Sequence, residues 1–321
     1  MLKGLHITHN DADAVGAVIA ANFIPDVEWD NSYNDVRGAS DSVESLFFES
    51  DVKYDILLIS DIFITEEMAD KIEEYRTNHP EFKVYLIDHH RTNKLGDKYP
   101  WAHVIIEENG VLVSAAYNVL KFFKEEIMQG AADNGVAYSV LEYVINSISR
   151  YDTWEWKKHP RTRPNEDEFM IMTKYLDLAD VAEQVICNIK NSSVEYEWDI
   201  FSEVLIQIYR KKCERVINNT LDNTVITQLK LADAEYKCAL IIADDTYGNA
   251  QLSYINENTD VNLSIGIYPQ TRTLSLRSLD ETDVGKIATY YGGGGHMHAA
   301  GIRPTVDFYL NIMRTYYENK K

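Results

Sequence analysis

The residues able to do chemistry sit at the ends of apolar runs. His9-Asn10-Asp11-Ala12-Asp13 follows one such run and opens a helical pattern. The alternate residues His9, Asp11 and Asp13 can therefore converge on the crevice at a strand's carboxyl end, where open α/β sheets bind ligands. Potential ligands packed this closely repel one another unless a cation lies between them. Two carboxylates and an imidazole suit a divalent metal of hard to intermediate character, Mn2+ ahead of Mg2+, Fe2+ or Co2+. A helix cap would account for Asp11 alone and leaves His9 unexplained. Asp61 ends the apolar stretch 54–60; Thr65 can cap the helix that follows, which leaves Asp61 available at the same rim. Asp88-His89-His90-Arg91 ends another apolar strand. Neighbours on an extended chain point apart, so one histidine would ligate and the other would face a substrate or a bound water. Asp152, within Ser149-Arg150-Tyr151-Asp152-Thr153-Trp154, closes a helical stretch and can complete a second metal's shell.

A different chemistry lies nearer the C-terminus, in Gly292-Gly293-Gly294-Gly295-His296-Met297-His298-Ala299-Ala300-Gly301. Consecutive glycines let backbone approach a ligand closely and offer amide N–H groups to anionic oxygens. His296 adds a side-chain donor, and Arg277 in Leu276-Arg277-Ser278 can clamp a phosphate bidentately. A flexible linker is the alternative for a glycine run, and the flanking apolar residues and embedded histidine speak against it. Tyr290 and Tyr291 beside the run could stack on a base, although packing between sheet and helix suits most tyrosines better.

These groups need elements to position them. Stretch 2–8 reads as a strand, 13–23 as a helix with small residues on its packing face, 54–60 as a strand buried on both faces, 64–79 as an amphipathic helix and 83–88 as the next strand. The β-α-β-α-β rhythm predicts an α/β fold with a parallel sheet covered on both faces. Residues 113–148 turn helical, with breaks near Gly130 and Gly135. Stretch 194–222 holds a helical pattern fit to connect two domains, and 238–244, 261–269 and 273–278 read as strands of a second, mixed domain. The expected domains are a catalytic metal-binding one at 1–190, a connecting helix at 191–224 and a smaller substrate-binding one at 225–321.

Composition trims the alternatives. At 321 residues, 45% apolar and 26% charged, the chain has the profile of a soluble globular protein with room for two cores. It lacks an apolar run near the ~20 residues that span a bilayer, and acidic residues stand where a signal peptide keeps its apolar core. A cytoplasmic protein is expected. Cys187, Cys213 and Cys238 lie far apart, which argues for small buried side chains over disulfides or zinc. A net charge of −20 does not suit a stable complex with long nucleic acid, whereas a small phosphorylated substrate in one local pocket remains compatible. Lys157-Lys158-His159-Pro160-Arg161-Thr162-Arg163 is the best candidate for a basic path, but it is a short run and an ordinary solvated loop explains it better.

Taken in order, the motifs resemble those of the DHH phosphoesterase superfamily, in the RecJ-related subgroup whose second domain is called DHHA1. The match covers nearly the whole chain: H-x-D-x-D at 9–13, isolated Asp61, D-H-H at 88–90, Asp152, S-L-R-S at 275–278 and G-G-G-H-x-x-A-A-G at 293–301. The last pattern argues against the sister subgroup of pyrophosphatases and polyphosphatases. His9 lies two residues before Asp11, a shorter spacing than in many members acting on small oligonucleotides. The resemblance implies a DHH domain joined by a helix to DHHA1, with the active site in the interdomain cleft. It implies two Mn2+ ions, for which Mg2+ or Co2+ could substitute, one held by His9, Asp11 and Asp61 and the other by Asp13, Asp61, His89 and Asp152. Asp61 would bridge, Asp88 would orient an imidazole, and His90 would lie near the attacking water or the phosphate. Arg277, His296 and the glycines Gly293, Gly294 and Gly295 would bind substrate. The implied reaction is hydrolysis of short oligonucleotides or small nucleotide phosphates: short RNAs, linear dinucleotides or 3′-phosphoadenosine 5′-phosphate. A single-strand exonuclease, a cyclic-dinucleotide phosphodiesterase and a non-catalytic nucleotide sensor are the rival readings, and a homodimer stays open.

Overall fold

The computed structural model describes residues 1–36, 38–158, 165–192 and 194–320, and the side chains of 157 and 158 lie outside that description. Most of the basic run 157–163 therefore falls outside the described residues. The chain divides into two compact units, Met1–Ile206 and Gln207–Lys321.

In the first unit, β1 (Leu2–His9) leads to α1 (Ala12–Asn22), β2 (Val27–Asn34) and a short α2 (Ala39–Val43). Next come β3 (Ile56–Ser60), α3 (Glu66–Asn78), β4 (Lys83–Asp88) and β5 (Ala102–Val104). These strands form one sheet in the order β2-β1-β3-β4-β5, all parallel. A small ribbon, β6 (Glu107–Glu108) and β7 (Val111–Leu112), precedes α4 (Ala115–Phe122), α5 (Lys124–Asp133), α6 (Tyr138–Asp152), α7 (Asp167–Met172) and α8 (Leu178–Asn191). Every residue of β3 is buried, as a strand covered on both faces requires. Leu5, Ile7, Leu57, Ile59, Val84 and Leu86 pack with α2 and α3 on one face. On the other, Tyr85 meets Phe122 and Phe123 at the end of α4, and α1, α4 and α6 pack together. The small residues of α1 make this possible: Gly16 lies against Ala116 and Ile148 with no room for a Cβ. Thr65 caps α3, its hydroxyl accepting the Met68 N–H at 3.2 Å.

Strand β2 is absent from the sequence reading because it runs along the sheet edge, where its residues VEWDNSYN carry no continuous apolar signal. Gly135, at φ +69°, does end a helix, but Gly130 does not break one. It sits inside α5, where a Cβ would run into the carbonyl oxygen of Phe23, and the break falls instead at Phe123.

In the second unit, α9 (Ile200–Ile217), which begins in the first, gives way to β8 (Val225–Leu231), β9 (Ala234–Ile242), α10 (Gly248–Asn258), β10 (Leu263–Tyr268) and β11 (Thr273–Arg277). Then follow α11 (Val284–Tyr290), β12 (Gly294–Gly295), β13 (Ala299–Ile302) and α12 (Val306–Asn319). Helix α9 is shorter than the pattern over 194–222 suggested. The sheet order is β12-β13-β11-β10-β9-β8, mixed as expected: only β9 and β10 pair in parallel, and α10 supplies the crossover this demands. No disulfide joins cysteines among the described residues; Cys238 is buried, but Cys187 is exposed, against expectation, because it falls on the outer face of α8. Among the described residues no helix is long and apolar enough to cross a membrane.

Candidate metal centre

Sheet order puts the chemistry in one place. After β1 the chain crosses to β2 on one side, whereas β3, α3 and β4 extend the sheet on the other, so the topological switch lies between β1 and β3. Thr8 pairs with Ser60, and Ser60 with Ile87. The next residues in each strand, His9, Asp61 and Asp88, consequently reach the rim at one level. Asp61 holds a left-handed backbone at φ +58°, uncommon for a non-glycine and costing about 1–3 kcal/mol, which its N–H bond to Ile87 O at 3.1 Å helps to hold.

Candidate ligand sets form there among the described residues. The ligating atoms of His9, Asp11 and Asp61 all lie within 4.8 Å of one another, as do those of Asp13, His89 and Asp152. His89 Nε2 links the sets, at 3.3 Å from Asp61 Oδ1, 3.6 Å from Asp152 Oδ2 and 3.8 Å from Asp13 Oδ2. Asp11 does two jobs: Oδ1 caps α1, accepting the Asp13 and Ala14 N–H groups, and Oδ2 accepts from His9 Nδ1 at 2.8 Å. The helix-cap reading and the ligand reading of this residue are thus compatible. Asp13 is buried, and its carboxylate accepts the N–H groups of Ala115 at 2.8 Å and Ala116 at 3.2 Å, at the start of α4.

Asp88 is fully buried and organises the histidines. Its Oδ1 accepts the His89 N–H at 2.7 Å and His90 Nδ1–H at 2.8 Å, and its Oδ2 accepts Asn93 Nδ2–H at 2.7 Å. The imidazole it orients is that of His90, while His89 turns toward the other acids. The sequence reading missed Asn93 and also Asn118, whose amide donates to the Asp88 and Ile105 carbonyls. Neither carries a local signal: Asn93, five residues past a strand end, reads as a turn, and Asn118 is a lone asparagine inside α4.

The acids repel one another. Burial, then the charge of Asp152, pushes the Asp13 carboxyl up to about 7. Burial and neighbouring carboxylates likewise hold Asp61 and Asp152 above the usual range. Burial opposes charge on His9 and His89, but the surrounding acids outweigh it and raise both. The opposite holds for Asp88: burial would raise it, and the hydrogen bond and charge of His90 bring it well below the ordinary value. A divalent cation fits this donor set. Carboxylate oxygens and imidazole nitrogens converge, and Asp61 Oδ2 is buried with His9 Nδ1 at 3.7 Å, too far for a hydrogen bond. A shared cation would replace the protons that relieve the crowding.

In the second unit the glycine run is ordered backbone, part of it strand β12. A Cβ on Gly293 would meet the Gly301 carbonyl, and one on Gly295 the Ala299 carbonyl, so these glycines admit close approach of backbone to backbone. The His296 N–H donates to Ala299 O at 2.7 Å and closes a tight hairpin. Arg277 ends β11, with Nη1 donating to Leu276 O at 2.8 Å and Nη2 to Asn249 Oδ1 at 2.7 Å. Tyr291 is a packing residue, stacked on Phe308 with ring centroids 4.4 Å apart; Tyr290 is exposed.

Comparison with known proteins agrees with this architecture. No protein-family model matches the chain. Oligoribonuclease NrnB of Bacillus subtilis (strain 168) is 28% identical over 314 residues, covering 94% of this chain and 73% of that one. The 3′,5′-cyclic-nucleotide phosphodiesterase of Helicobacter pylori is 21% identical over 340 residues, covering 94% of this chain and 92% of that one. Among solved structures, RecJ from Thermus thermophilus, crystallised in complex with Mn2+, superposes with a TM-score of 0.52 at 14% identity. That likeness covers 99% of this chain and 52% of RecJ, and it shows a shared fold. The resemblance to the DHH phosphoesterases drawn from the motifs is borne out by these relatives.

Proposed function

We propose that the chain is a metal-dependent hydrolase of phosphoester bonds that uses two Mn2+ ions to cleave short oligonucleotides or small nucleotide phosphates. The observation that carries the reading is the meeting of two acid-and-imidazole sets at one sheet rim, joined through Asp61 and His89 at 3.3 Å. His9, Asp11 and Asp61 would hold one ion, and Asp13, Asp61, His89 and Asp152 the other, with Asp61 shared. Bound there, a metal pair supplies a lowered water pKa, in-line orientation and neutralisation of phosphoryl charge. The protein's own groups do the rest. Asp88 keeps His90 protonated on Nδ1 and leaves Nε2 to exchange a proton with the attacking water or the phosphate. Arg277, His296 and the amides of Gly293, Gly294 and Gly295 would bind the substrate's phosphate. The relatives named oligoribonuclease and cyclic-nucleotide phosphodiesterase support a nucleotide substrate, and the net charge of −20 supports a short one.

The test is a Mn2+-supplemented panel of dinucleotides, 24-mers, cyclic nucleotides, 3′-phosphoadenosine 5′-phosphate and pyrophosphate, analysed by product. Turnover of dinucleotides well above that of 24-mers is expected, and Asp13→Ala or His89→Ala should abolish it while the circular dichroism stays native. Full activity in the double variant would refute the metal assignment; binding without turnover of any substrate would favour a sensor.

A further inference from the structure

Asp13 and Asp152 lie on different helices, yet both must face His89 Nε2, at 3.8 and 3.6 Å. What sets the spacing between those helices is a third one. The first two amides of α4 donate to the Asp13 carboxylate, one to each oxygen. Each oxygen keeps lone pairs free for another partner. Immediately before these amides stands Ser114, whose own N–H donates to Ser149 Oγ at 3.1 Å. Ser149 is buried on α6, three residues before Asp152 and so close to it on the helix surface. The hydrogen bonds thus run from the helix bearing Asp152, through Ser149, to the three consecutive amides of Ser114, Ala115 and Ala116, and on to Asp13. The three helices pack closely at Gly16, where an added Cβ would run into Ala116 on α4 and Ile148 on α6.

We infer that Ser149 is a positioning residue for the Asp13, His89 and Asp152 ligand set, acting through the N-terminus of α4. The inference rests on the metal reading above and adds to it a residue that contacts neither ion nor substrate. Loss of the Ser149 hydroxyl strands the Ser114 N–H in a buried position, and the simplest relief is a shift of the α4 terminus toward another acceptor. Such a shift moves the two amides that aim Asp13. Of the candidate ligands only Asp13 accepts from the α4 amides, so the effect should fall chiefly on the ion that Asp13 would hold.

Ser147 provides the control. It is a buried serine on the same helix, but its hydroxyl donates to Tyr143 O within α6 and has no part in the Ser114 linkage. The experiment titrates Mn2+ into metal-free wild type, Ser149→Ala, Ser149→Thr and Ser147→Ala by calorimetry, with electron paramagnetic resonance on the loaded proteins. In wild type, two binding events and a spin-coupled pair spectrum are expected. Ser149→Ala should weaken one event by about 10-fold or more, the range for groups that orient ligands, and show isolated-ion signal at stoichiometric metal. Ser149→Thr keeps the oxygen and should restore the pair spectrum, and Ser147→Ala should bind as wild type does. Wild-type binding by Ser149→Ala, or an equal loss at both events in both alanine variants, would overturn the inference. An absence of Mn2+ binding by wild type would instead overturn the metal reading beneath it.

Discussion

Replacing Asp88 by asparagine changes one atom and should cost far more than its size suggests. The buried carboxylate accepts from three strong donors at 2.7–2.8 Å: the His89 N–H, His90 Nδ1 and Asn93 Nδ2. An asparagine oxygen placed at Oδ1 keeps the two histidine bonds but loses their charge assistance, about 1 kcal/mol apiece. Its amide then faces Asn93 Nδ2, donor against donor. Asn93 cannot turn over without cost, because its Oδ1 already accepts the Leu95 N–H at 3.1 Å. One unsatisfied buried donor adds about 1–3 kcal/mol, for a total loss of about 3–5 kcal/mol. For a unit of this size that lowers the metal-free midpoint by very roughly 6–20 °C, measurable by circular dichroism. His90 should also respond. Burial works against its charge and the Asp88 bond raises it, so in Asp88→Asn its titration by NMR moves down and activity falls about 10–100-fold. A variant that melts within a degree of wild type and leaves the His90 titration in place would refute the argument.

Other expectations follow from the same geometry. Asp13 titrates near 7 in the metal-free fold, and His9 and His89 are raised, so the folded state binds more protons than the unfolded chain across neutral pH. Metal-free stability should therefore fall as pH rises from about 5 to 8, and Mn2+ should reverse the trend; a melting series with and without metal checks both signs. Calorimetry in two buffers of different ionisation heat near pH 6.5 should find protons released on Mn2+ binding, and a zero count would contradict the crowded-acid picture. Gly130→Ala should be severely destabilising, because its Cβ meets the Phe23 carbonyl, whereas Gly110→Ala, at φ +79° in open space, should cost only about 1 kcal/mol in a denaturant titration. Gly293→Ala should disturb the β12–β13 hairpin and raise KM with little change in Mn2+ affinity; equal loss of both would count against a substrate role for this loop.

The chain's local patterns carried a large part of this protein. Apolar runs of period two and helical stretches of period 3.6 are written in neighbouring residues, so β1, β3, β4, α1 and α3 were legible, and with them the rim positions of His9, Asp61 and Asp88. Thr65 as a cap was legible for the same reason, since the bond it makes spans three residues. Edge strand β2 and helical Gly130 were not, because both depend on what lies beside them in space. The site divides in the same way. Residue types alone pointed to metal-binding chemistry, for an imidazole among carboxylates at a strand's end has few other uses. Only the tertiary structure decided which atoms meet: that Asp88 turns to His90 while His89 faces the acids, and that Asp13 is held by amides 102 and 103 residues further along the chain. Hydrogen bonds of that span depend on how helices pack, and no pattern in the residues around Asp13 records them.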